Sequence, residues 1–366
     1  MSVQDLPRLQ GNYSYKSIDP RDWSCADYAC YLYNSGVADF YYDFFNCINT
    51  TDNRSIGFRP PSIDISRAWA IEKKFLIHGC YKHKGEKHSK LLTDRKYPTA
   101  TWICPETGWK TQIPHRYTNV GSYIPITFNI EDREKGIAEI LDLGYKARIW
   151  HFEMSIFDNK FRGENIFPDH LKMHTQGEKW DRVTGHNLIM EFDTTDERIN
   201  GENIRRDIME DGDKVVDNAQ KIIEIVNNEM SRNGIEAYDW WFSGGGIYFI
   251  LNHRLNDITR KEPRDSNLTW FNGILYKWDK YQSSIIIKKI KDEGIKYIGL
   301  DYKRQFIRTY LKAPYSLHRR FDRIVLPLTN FFGGNDKINL RKENWRRYIY
   351  PKNVDKEFIK KLRISI

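Results

Sequence analysis

The sequence predicts an α+β fold with a mixed or antiparallel central sheet flanked by helices. The apolar run at residues 187–193 predicts a buried strand, and the apolar spacing over 204–230, interrupted near 212, predicts an amphipathic helix in its second half. Two more strands are predicted at 238–242 and 247–251, joined by a glycine turn. Strand, helix and hairpin in this order predict a sheet core with helices packed on it.

The flanking regions add elements to this core. Residues 18–50 have apolar and aromatic residues at helical spacing, and 54–58 and 69–77 alternate as short strands do. Residues 283–298 indicate a further helix and strand that lead to Asp301. Between 78 and 120 the chain is rich in Lys, His, Gly, Pro and Thr, which predicts a small inserted module or a long surface loop.

Composition favours a polyanionic partner without requiring one. The chain has 366 residues, enough for one large domain or two smaller ones, and a formal net charge of +9. Its 11 Trp and 22 Tyr interleave with Lys and Arg, as base stacking beside phosphate contacts requires. Solubility alone would also explain the charge, and most of the aromatic residues must form the core.

The sequence predicts a soluble intracellular protein with no membrane partner. It has no run of eighteen apolar residues, and its N-terminus lacks the charged and then apolar pattern of a secretory signal. An odd number of cysteines in a reducing compartment favours thiols or metal ligands over disulfides. The five cysteines are Cys25, Cys30, Cys47, Cys80 and Cys104.

Three acids are the candidate metal ligands. Side chains alternate on a strand, so Glu191 and Asp193 point to one face and Phe192 to the other. Two carboxylates on a buried strand are costly unless a cation balances them, whereas an exposed edge strand would tolerate them. Asp301, after a predicted strand, would supply the third oxygen ligand of a two-metal site.

A glycine turn and a basic segment are the candidate phosphate contacts. The turn from Ser243 to Gly246, which includes Gly244, brings backbone N–H groups close to a ligand, although it also suits a tight hairpin. Lys312 and His318, followed by Arg319 and Arg320, offer cations to a triphosphate or form a solvated basic loop. Together with the acids they predict metal-assisted phosphoryl transfer on a nucleotide.

These motifs resemble those of the archaeo-eukaryotic primase superfamily, which includes the catalytic small subunit of DNA primase and plasmid or viral primase-polymerases. Glu191-Phe192-Asp193 resembles the first motif, an acid pair on an apolar strand. Ser243 to Tyr248 is similar to the second, Ser-Gly with a later Gly, an apolar residue and His. Leu300-Asp301, with the segment 311–318 and the strand 323–327, is similar to the third, and this is the most specific of the three signals.

The resemblance implies a primase-type catalytic core over residues 1–366, with 78–120 as an inserted module within it. It implies template-directed nucleotidyl transfer that makes or extends RNA or DNA primers with two Mg²⁺ or Mn²⁺ ions. Glu191, Asp193 and Asp301 would be the catalytic metal ligands. Nucleotide-binding roles fall on one set of residues: Ser243, Gly244, Tyr248, Lys312, His318, Arg319 and Arg320.

The implied partners are a single-stranded DNA template and NTP or dNTP, with a primase large subunit, a helicase or other replication proteins. The implied location is the cytoplasm, at the nucleoid, in a prokaryotic, plasmid or viral system, and the nucleus in a eukaryote. The sequence leaves open the choice between NTP and dNTP, between starting and extending chains, and the oligomeric state.

Departures from the family pattern keep two alternatives open. Tyr248 stands where the family has His, and Arg319-Arg320-Phe321 replaces the usual Lys-Thr-Gly. Gly245 and Gly246 lie where some primases have arginines. A weak or inactive nucleic-acid-binding protein of the same fold is therefore one alternative. A metal-dependent nuclease is the other, although the Lys312 and His318 segment has little use in a nuclease.

Zinc is a further prediction. The family has a zinc element shortly after the first motif, but residues 194–238 contain neither Cys nor His. Cys80 and His83 have knuckle-like spacing, and His88 and Cys104 would complete the set, with His78 and His115 as alternates. Ordinary loop residues are the alternative.

Overall fold

A computed structural model shows that the described part of the chain has an α+β fold with antiparallel sheets and helices, as predicted. The described residues are 25–52, 54, 56–59, 99–103, 110–114, 124–126, 131–144, 149–157, 183–194, 197–199, 202–204, 213–252, 267–301, 310–318, 323–329 and 338–361.

The strands are named in chain order. They are β1 (Ile56–Arg59), β2 (Thr99–Ile103), β3 (Lys110–Pro114), β4 (Ile124–Ile126), β5 (Ile149–Glu153), β6 (Ser155–Phe157), β7 (Val183–His186), β8 (Ile189–Thr194), β9 (Glu197–Ile199), β10 (Glu202–Ile204), β11 (Tyr238–Phe242), β12 (Ile247–Leu251), β13 (Ile298–Leu300), β14 (Tyr310–Lys312) and β15 (Leu326–Pro327).

The α-helices are named in the same way. They are α1 (Cys25–Asn34), α2 (Val37–Asp52), α3 (Arg133–Gly144), α4 (Asp213–Arg232), α5 (Asn267–Tyr281), α6 (Ile287–Asp292), α7 (Glu343–Arg346) and α8 (Lys356–Lys361). A π-helical turn, Gln282–Ile286, joins α5 to α6, and two 3₁₀ turns, Arg347–Ile349 and Pro351–Asn353, lie between α7 and α8.

The first sheet is five-stranded, in the order β13-β8-β12-β11-β15, and every pairing in it is antiparallel. Helices cover one of its faces. Trp278 of α5 stacks on Phe249 at 6.3 Å between ring centroids, and its Nε1–H donates to the Ile189 carbonyl at 3.0 Å. Trp240 donates through Nε1–H to Asn227 of α4 at 2.9 Å. On the opposite face, Tyr248 of β12 lies opposite Glu191 of β8.

The second sheet is four-stranded, in the order β14-β5-β1-β4. Helix α2 packs on it, because Phe44 and Phe45 contact Phe152 and Trp150 at 5.4 and 5.6 Å between ring centroids. The helices predicted within residues 18–50 are thus confirmed. Phe152 also lies 5.9 Å from Trp241 of the first sheet, so the two sheets share one core.

Residues 310–327 cross from one sheet to the other, since β14 belongs to the second sheet and β15 pairs with β11 in the first. The bend between them is tightly held. Tyr315 has a positive φ of 62° and is fully buried, with its ring edge-on to Phe40 at 4.9 Å. The hydroxyl of Ser316 accepts from the Trp150 amide at 2.9 Å. This crossing segment carries Lys312 and His318.

The helix predicted in the second half of 204–230 is confirmed as α4, Asp213–Arg232, and Ile204 ends strand β10. An acid in the first turn favours a helix start at Asp213, and Gly212 disfavours helix before it. The strand predicted at 323–327 is reduced to Leu326–Pro327, while Ile324 forms an isolated bridge with Leu317. The predicted strand at 69–77 lies outside the described residues.

Within 78–120, the described residues form the hairpin of β2 and β3. That this region is a separate module stays a prediction. Cys30, which is buried, and Cys47, which is exposed, are thiols and not half of a disulfide, as expected. No helix in the described part of the chain is both long enough and apolar enough to cross a membrane.

Candidate functional site

The three predicted acids lie side by side on two neighbouring strands. In the antiparallel pairing of β13 with β8, Gly299 lies opposite Asp193 and Leu300 opposite Phe192. The next residue, Asp301, therefore lies opposite Glu191, and its amide N–H donates to the Glu191 carbonyl at 2.7 Å. Residues directly opposite one another in such a pair point to the same face of the sheet.

Burial shows which face this is. Met190 and Phe192 are buried in the core beneath the helices, whereas Glu191, Asp193 and Asp301 are half-buried. Side chains directly opposite each other have Cβ atoms about 5 Å apart, and those two apart along a strand are about 7 Å apart. Three carboxylates thus share the helix-free face of the first sheet.

Glycines flank Asp193 on both neighbouring strands. Gly299 lies opposite it on β13, and Gly246 lies next to it at the start of β12. A Cβ added to Gly246 would stand 2.1 Å from the Phe192 carbonyl oxygen and 2.7 Å from Asp193 Oδ1. Because Gly246 has no side chain, the Asp193 carboxylate can lie directly against the end of the glycine turn.

The side chains are adjacent without forming a finished metal site. Among the residues that the structure describes, no three His, Cys, Asp or Glu side chains are arranged so that they could hold a metal ion. The donor set nevertheless suits a hard divalent cation, since all three groups are carboxylates with oxygen ligands. Their crowding on one face also favours a cation between them.

The glycine turn is a tight hairpin held by Ser243. The Ser243 amide donates to the Gly246 carbonyl, and the Ser243 hydroxyl accepts from the Gly246 amide, both at 2.9 Å. Ser243 is only 1% exposed, so its hydroxyl shapes the turn. Gly244 has φ +97°, a conformation that favours glycine.

Lys312 brings a cation from the second sheet to this face. Its ammonium group donates to the Ser243 carbonyl at 3.5 Å and lies 5.8 Å from the centre of the Tyr248 ring. Tyr248 is opposite Glu191 in the pairing of β12 with β8. The positive charge therefore lies above the strand next to the acids.

His318 packs on the glycine turn. A Cβ added to Gly244 would meet the Cβ of His318 at 2.6 Å and its ring carbon Cγ at 2.8 Å. The His318 amide donates to the Arg323 carbonyl at 2.7 Å, which fixes the backbone behind the ring. The structure thus brings Ser243, Gly244, Lys312 and His318 together, beside the acids.

Tyr248 belongs to the same face but is 3% exposed. The Lys312 ammonium group lies over the Tyr248 ring, so this ring supports the lysine and is shielded from solvent. The nucleotide-binding role that the resemblance implies for Tyr248 stays a prediction.

His151 is a residue of this region that the sequence did not single out. It lies opposite Lys312 in the pairing of β14 with β5, so both side chains share one face of the second sheet, and it is 4% exposed. The signal in the sequence was a polar residue within the apolar strand Ile149–Glu153. Nothing local indicated that this strand pairs with residue 312.

Asp239 is a second such residue. It lies two positions before Trp241 on β11, and Trp241 lies opposite Tyr248, so Asp239 is on the same sheet face as the three acids. Asp239 is 7% exposed, and burial raises its pKa from 3.8 to about 7.

Several predicted residues lie outside the described part of the chain. They are Arg319 and Arg320 of the triphosphate set, and Cys80, His83, His88 and Cys104 of the zinc set, with their alternates His78 and His115. The zinc site therefore stays a prediction.

No protein-family model and no curated protein sequence matches this chain. Among solved structures, the polymerase domain of Ligase D from Mycobacterium tuberculosis, in complex with DNA, is similar at a TM-score of 0.35 and 13% sequence identity. The alignment covers 89% of this chain and 93% of that domain.

Proposed function

We propose that this protein is a template-directed nucleotidyltransferase with a primase-type core, which makes or extends primers on single-stranded DNA. The observation that carries the proposal is the register of β13 and β8. It sets Asp301 opposite Glu191, with Asp193 on the same face, beside the turn that Lys312 and His318 contact. Acids and cations next to each other are what a metal-bound triphosphate requires.

The acids would hold the metal ions. Glu191, Asp193 and Asp301 would bind Mg²⁺ or Mn²⁺, which when bound favours ionisation of the attacking hydroxyl and stabilises negative charge on the phosphate oxygens. Gly246, which has no side chain, lets the Asp193 carboxylate lie against the end of the glycine turn, where the phosphates would be bound.

The chain's own cations would position the nucleotide. Lys312, as a point charge, and His318, as a hydrogen-bond donor, would contact the phosphates that become the leaving group. The amides of Gly244 and Gly245 would add donors at the turn, whose shape Ser243 maintains. His151 and Tyr248 would support Lys312 from beside and beneath.

The reaction would be an in-line displacement. A 3′-hydroxyl oxygen would form a bond to the α-phosphorus while the bond from that phosphorus to the bridging oxygen breaks. Pyrophosphate would leave, and the hydroxyl proton would pass to solvent. The side chains named above supply position and charge but form no covalent bond with the substrate.

The test is incorporation of labelled nucleotide on a single-stranded template with Mn²⁺, using NTPs and dNTPs in separate reactions. Asp193→Asn and Asp301→Asn should each reduce product by at least about a hundredfold, because each removes a charge that acts on the transition state. Asp239→Asn is the matched control, since it removes an acid from the same sheet face but from beyond Tyr248, and it should retain activity.

Electron paramagnetic resonance of Mn²⁺ provides a second measurement that does not depend on turnover. The wild type and Asp239→Asn should bind Mn²⁺, and Asp193→Asn should bind it more weakly. Full activity in Asp193→Asn combined with Asp301→Asn would reject the assignment of the site.

The alternative of a non-catalytic DNA-binding protein is favoured by one observation, the buried Tyr248 in the position where the resemblance expects His. Under that alternative the wild type would bind a single-stranded oligonucleotide but yield no product with either nucleotide type.

A further inference from the structure

Beside the chain that carries His318 lies a group of tyrosines and cations. The 3₁₀ turns Arg347–Ile349 and Pro351–Asn353 are attached there, because the Ile324 amide donates to the Ile349 carbonyl at 2.8 Å. Arg323, the residue before Ile324, accepts from the His318 amide. Two backbone hydrogen bonds, from Ile324 to Ile349 and from His318 to Arg323, therefore connect the first of these turns to the segment that carries His318.

The rings in this group are held firmly and flanked by positive charge. Tyr350 lies between two cations, with the Arg323 guanidinium carbon 5.9 Å and the Lys352 ammonium 5.7 Å from its ring centre. Tyr348 stacks on Phe358 at 5.2 Å on one side and has the Arg347 guanidinium 4.6 Å from its ring centre. We call Arg323, Arg347, Tyr348, Tyr350 and Lys352 the tyrosine–cation cluster.

The cluster offers both kinds of contact that single-stranded nucleic acid needs. Tyr348 and Tyr350 are half-buried and so are fixed in place, whereas Arg347 and Lys352 are exposed. Residues 345–353 include no acid, and the neighbouring Arg346 is already paired with Asp213 at 3.6 Å. Arg347 and Lys352 lie over the Tyr348 and Tyr350 rings, and a base can stack on the ring face that each exposed cation leaves when it turns to a phosphate.

We propose that the tyrosine–cation cluster binds the single-stranded template as it leaves the site near His318. This inference rests on the proposed function only in calling the strand a template, because the binding itself requires no catalysis.

The experiment measures the binding of a fluorescent single-stranded oligonucleotide by anisotropy, without nucleotide or metal, using the full chain with Asp193→Asn. Tyr350→Leu should raise Kd about tenfold without changing its salt dependence, because a stacking contact is lost. Arg347→Ala with Lys352→Ala should weaken binding and reduce the slope of log K against log salt by about 1.4, as expected for two lost phosphate contacts.

Lys277→Ala with Lys280→Ala is the matched control. It also removes two exposed cations, but from α5, which covers the other face of the first sheet. This control should bind within about twofold of the parent, since its lysines lie away from the cluster. Tyr350→Phe keeps the ring and should bind as the parent does. If Tyr350→Leu fails to fold, the variant Arg347→Ala with Lys352→Ala still tests the proposal, because both of its side chains are exposed.

Equal losses in the α5 control and in the cluster variants would overturn the proposal, since overall charge would then explain binding. Unchanged binding in the cluster variants, or no binding by the parent, would also overturn it and would favour a protein partner or a structural role. Cluster-dependent binding by a protein that makes no product would uphold this inference while rejecting the proposed catalysis.

Discussion

At the scale of single residues, Tyr248 departs most from the family pattern. It lies opposite Glu191 and beneath Lys312, in the position where the resemblance expects an imidazole. Tyr248→His should keep or raise nucleotide incorporation, because a histidine there can donate to phosphate and carry charge. Steady-state kinetics with the triphosphate varied would measure this as an unchanged or lower KM.

Tyr248→Phe is the companion variant, since it keeps the ring under Lys312 and removes only the hydroxyl. It should show whether that hydroxyl contacts the nucleotide. Complete loss of activity in Tyr248→His, with the fold intact, would mean that residue 248 does not occupy the position inferred for it.

Asp239 makes stability depend on pH. Burial raises its pKa from 3.8 to about 7, so between these values the folded chain holds a proton that the unfolded chain has released. The contribution of Asp239 to the free energy of unfolding therefore falls as pH rises through this window. Asn cannot titrate, so the free energy of unfolding of Asp239→Asn does not fall for this reason. Between pH 4 and pH 7, its free energy of unfolding should rise relative to that of the wild type by up to about 4 kcal/mol.

Urea unfolding of both proteins at several pH values would measure this difference. A constant difference across the window would contradict the burial of an ionisable group at position 239. Above pH 7 the difference should level off, because Asp239 is then ionised in both the folded and the unfolded chain.

At the scale of elements, the contact between β12 and β8 depends on Gly246. A methyl group there would overlap the Phe192 carbonyl at 2.1 Å, and strand β12 would have to move away from β8. Gly246→Ala should therefore lower the free energy of unfolding by about 1–3 kcal/mol, as overpacking does. Because β8 carries Asp193, the same change should reduce nucleotide incorporation.

Gly273→Ala on α5 is the control for this substitution. A Cβ at Gly273 would meet nothing within 4 Å, and alanine favours helix over glycine by about 1 kcal/mol. This variant should be at least as stable as the wild type in thermal or chemical unfolding. A stable and active Gly246→Ala variant would contradict the close contact between position 246 and the Phe192 carbonyl.

Local patterns in the sequence were enough to predict β8, β11, β12 and most of α4. Alternating or continuous apolar residues mark the strands, and the spacing of Val215, Ile222 and Val226 marks the helix. The pairing of β13 with β8 could not be read in this way, because strand register depends on contacts between distant segments. The resemblance grouped Asp301 with the other acids, but only the register places it opposite Glu191.

The same reason explains why His151 was missed. Its place beside Lys312 follows from the pairing of β5 with β14, two strands far apart in the chain. Asp239 was missed because an acid within Tyr238–Phe242 is read locally as the polar side of a strand, whereas the folded strand is buried on both faces.

At the scale of the whole molecule, the segment 310–327 joins the two sheets. Its bend is attached to β5 by the hydrogen bond from the Trp150 amide to the Ser316 hydroxyl, and both residues are buried. Ser316→Ala leaves that buried amide without its acceptor, which should cost about 1–3 kcal/mol of unfolding free energy. Chemical denaturation followed by tryptophan fluorescence would measure the loss.

Ser283→Ala is the matched control, because the Ser283 hydroxyl donates to the Asp279 carbonyl on an exposed helical surface. Its stability should stay within about 0.5 kcal/mol of the wild type. Similar effects of the two substitutions would mean that the bend is not a point where the sheets are joined.

The left-handed backbone of Tyr315 lies between Lys312 and His318, so a single constrained residue sets how far apart these two groups stand. Neither group can be repositioned alone without disturbing that residue, whose ring is wedged among Phe40 and Phe358. A substitution at Tyr315 should therefore displace the Lys312 and His318 side chains together.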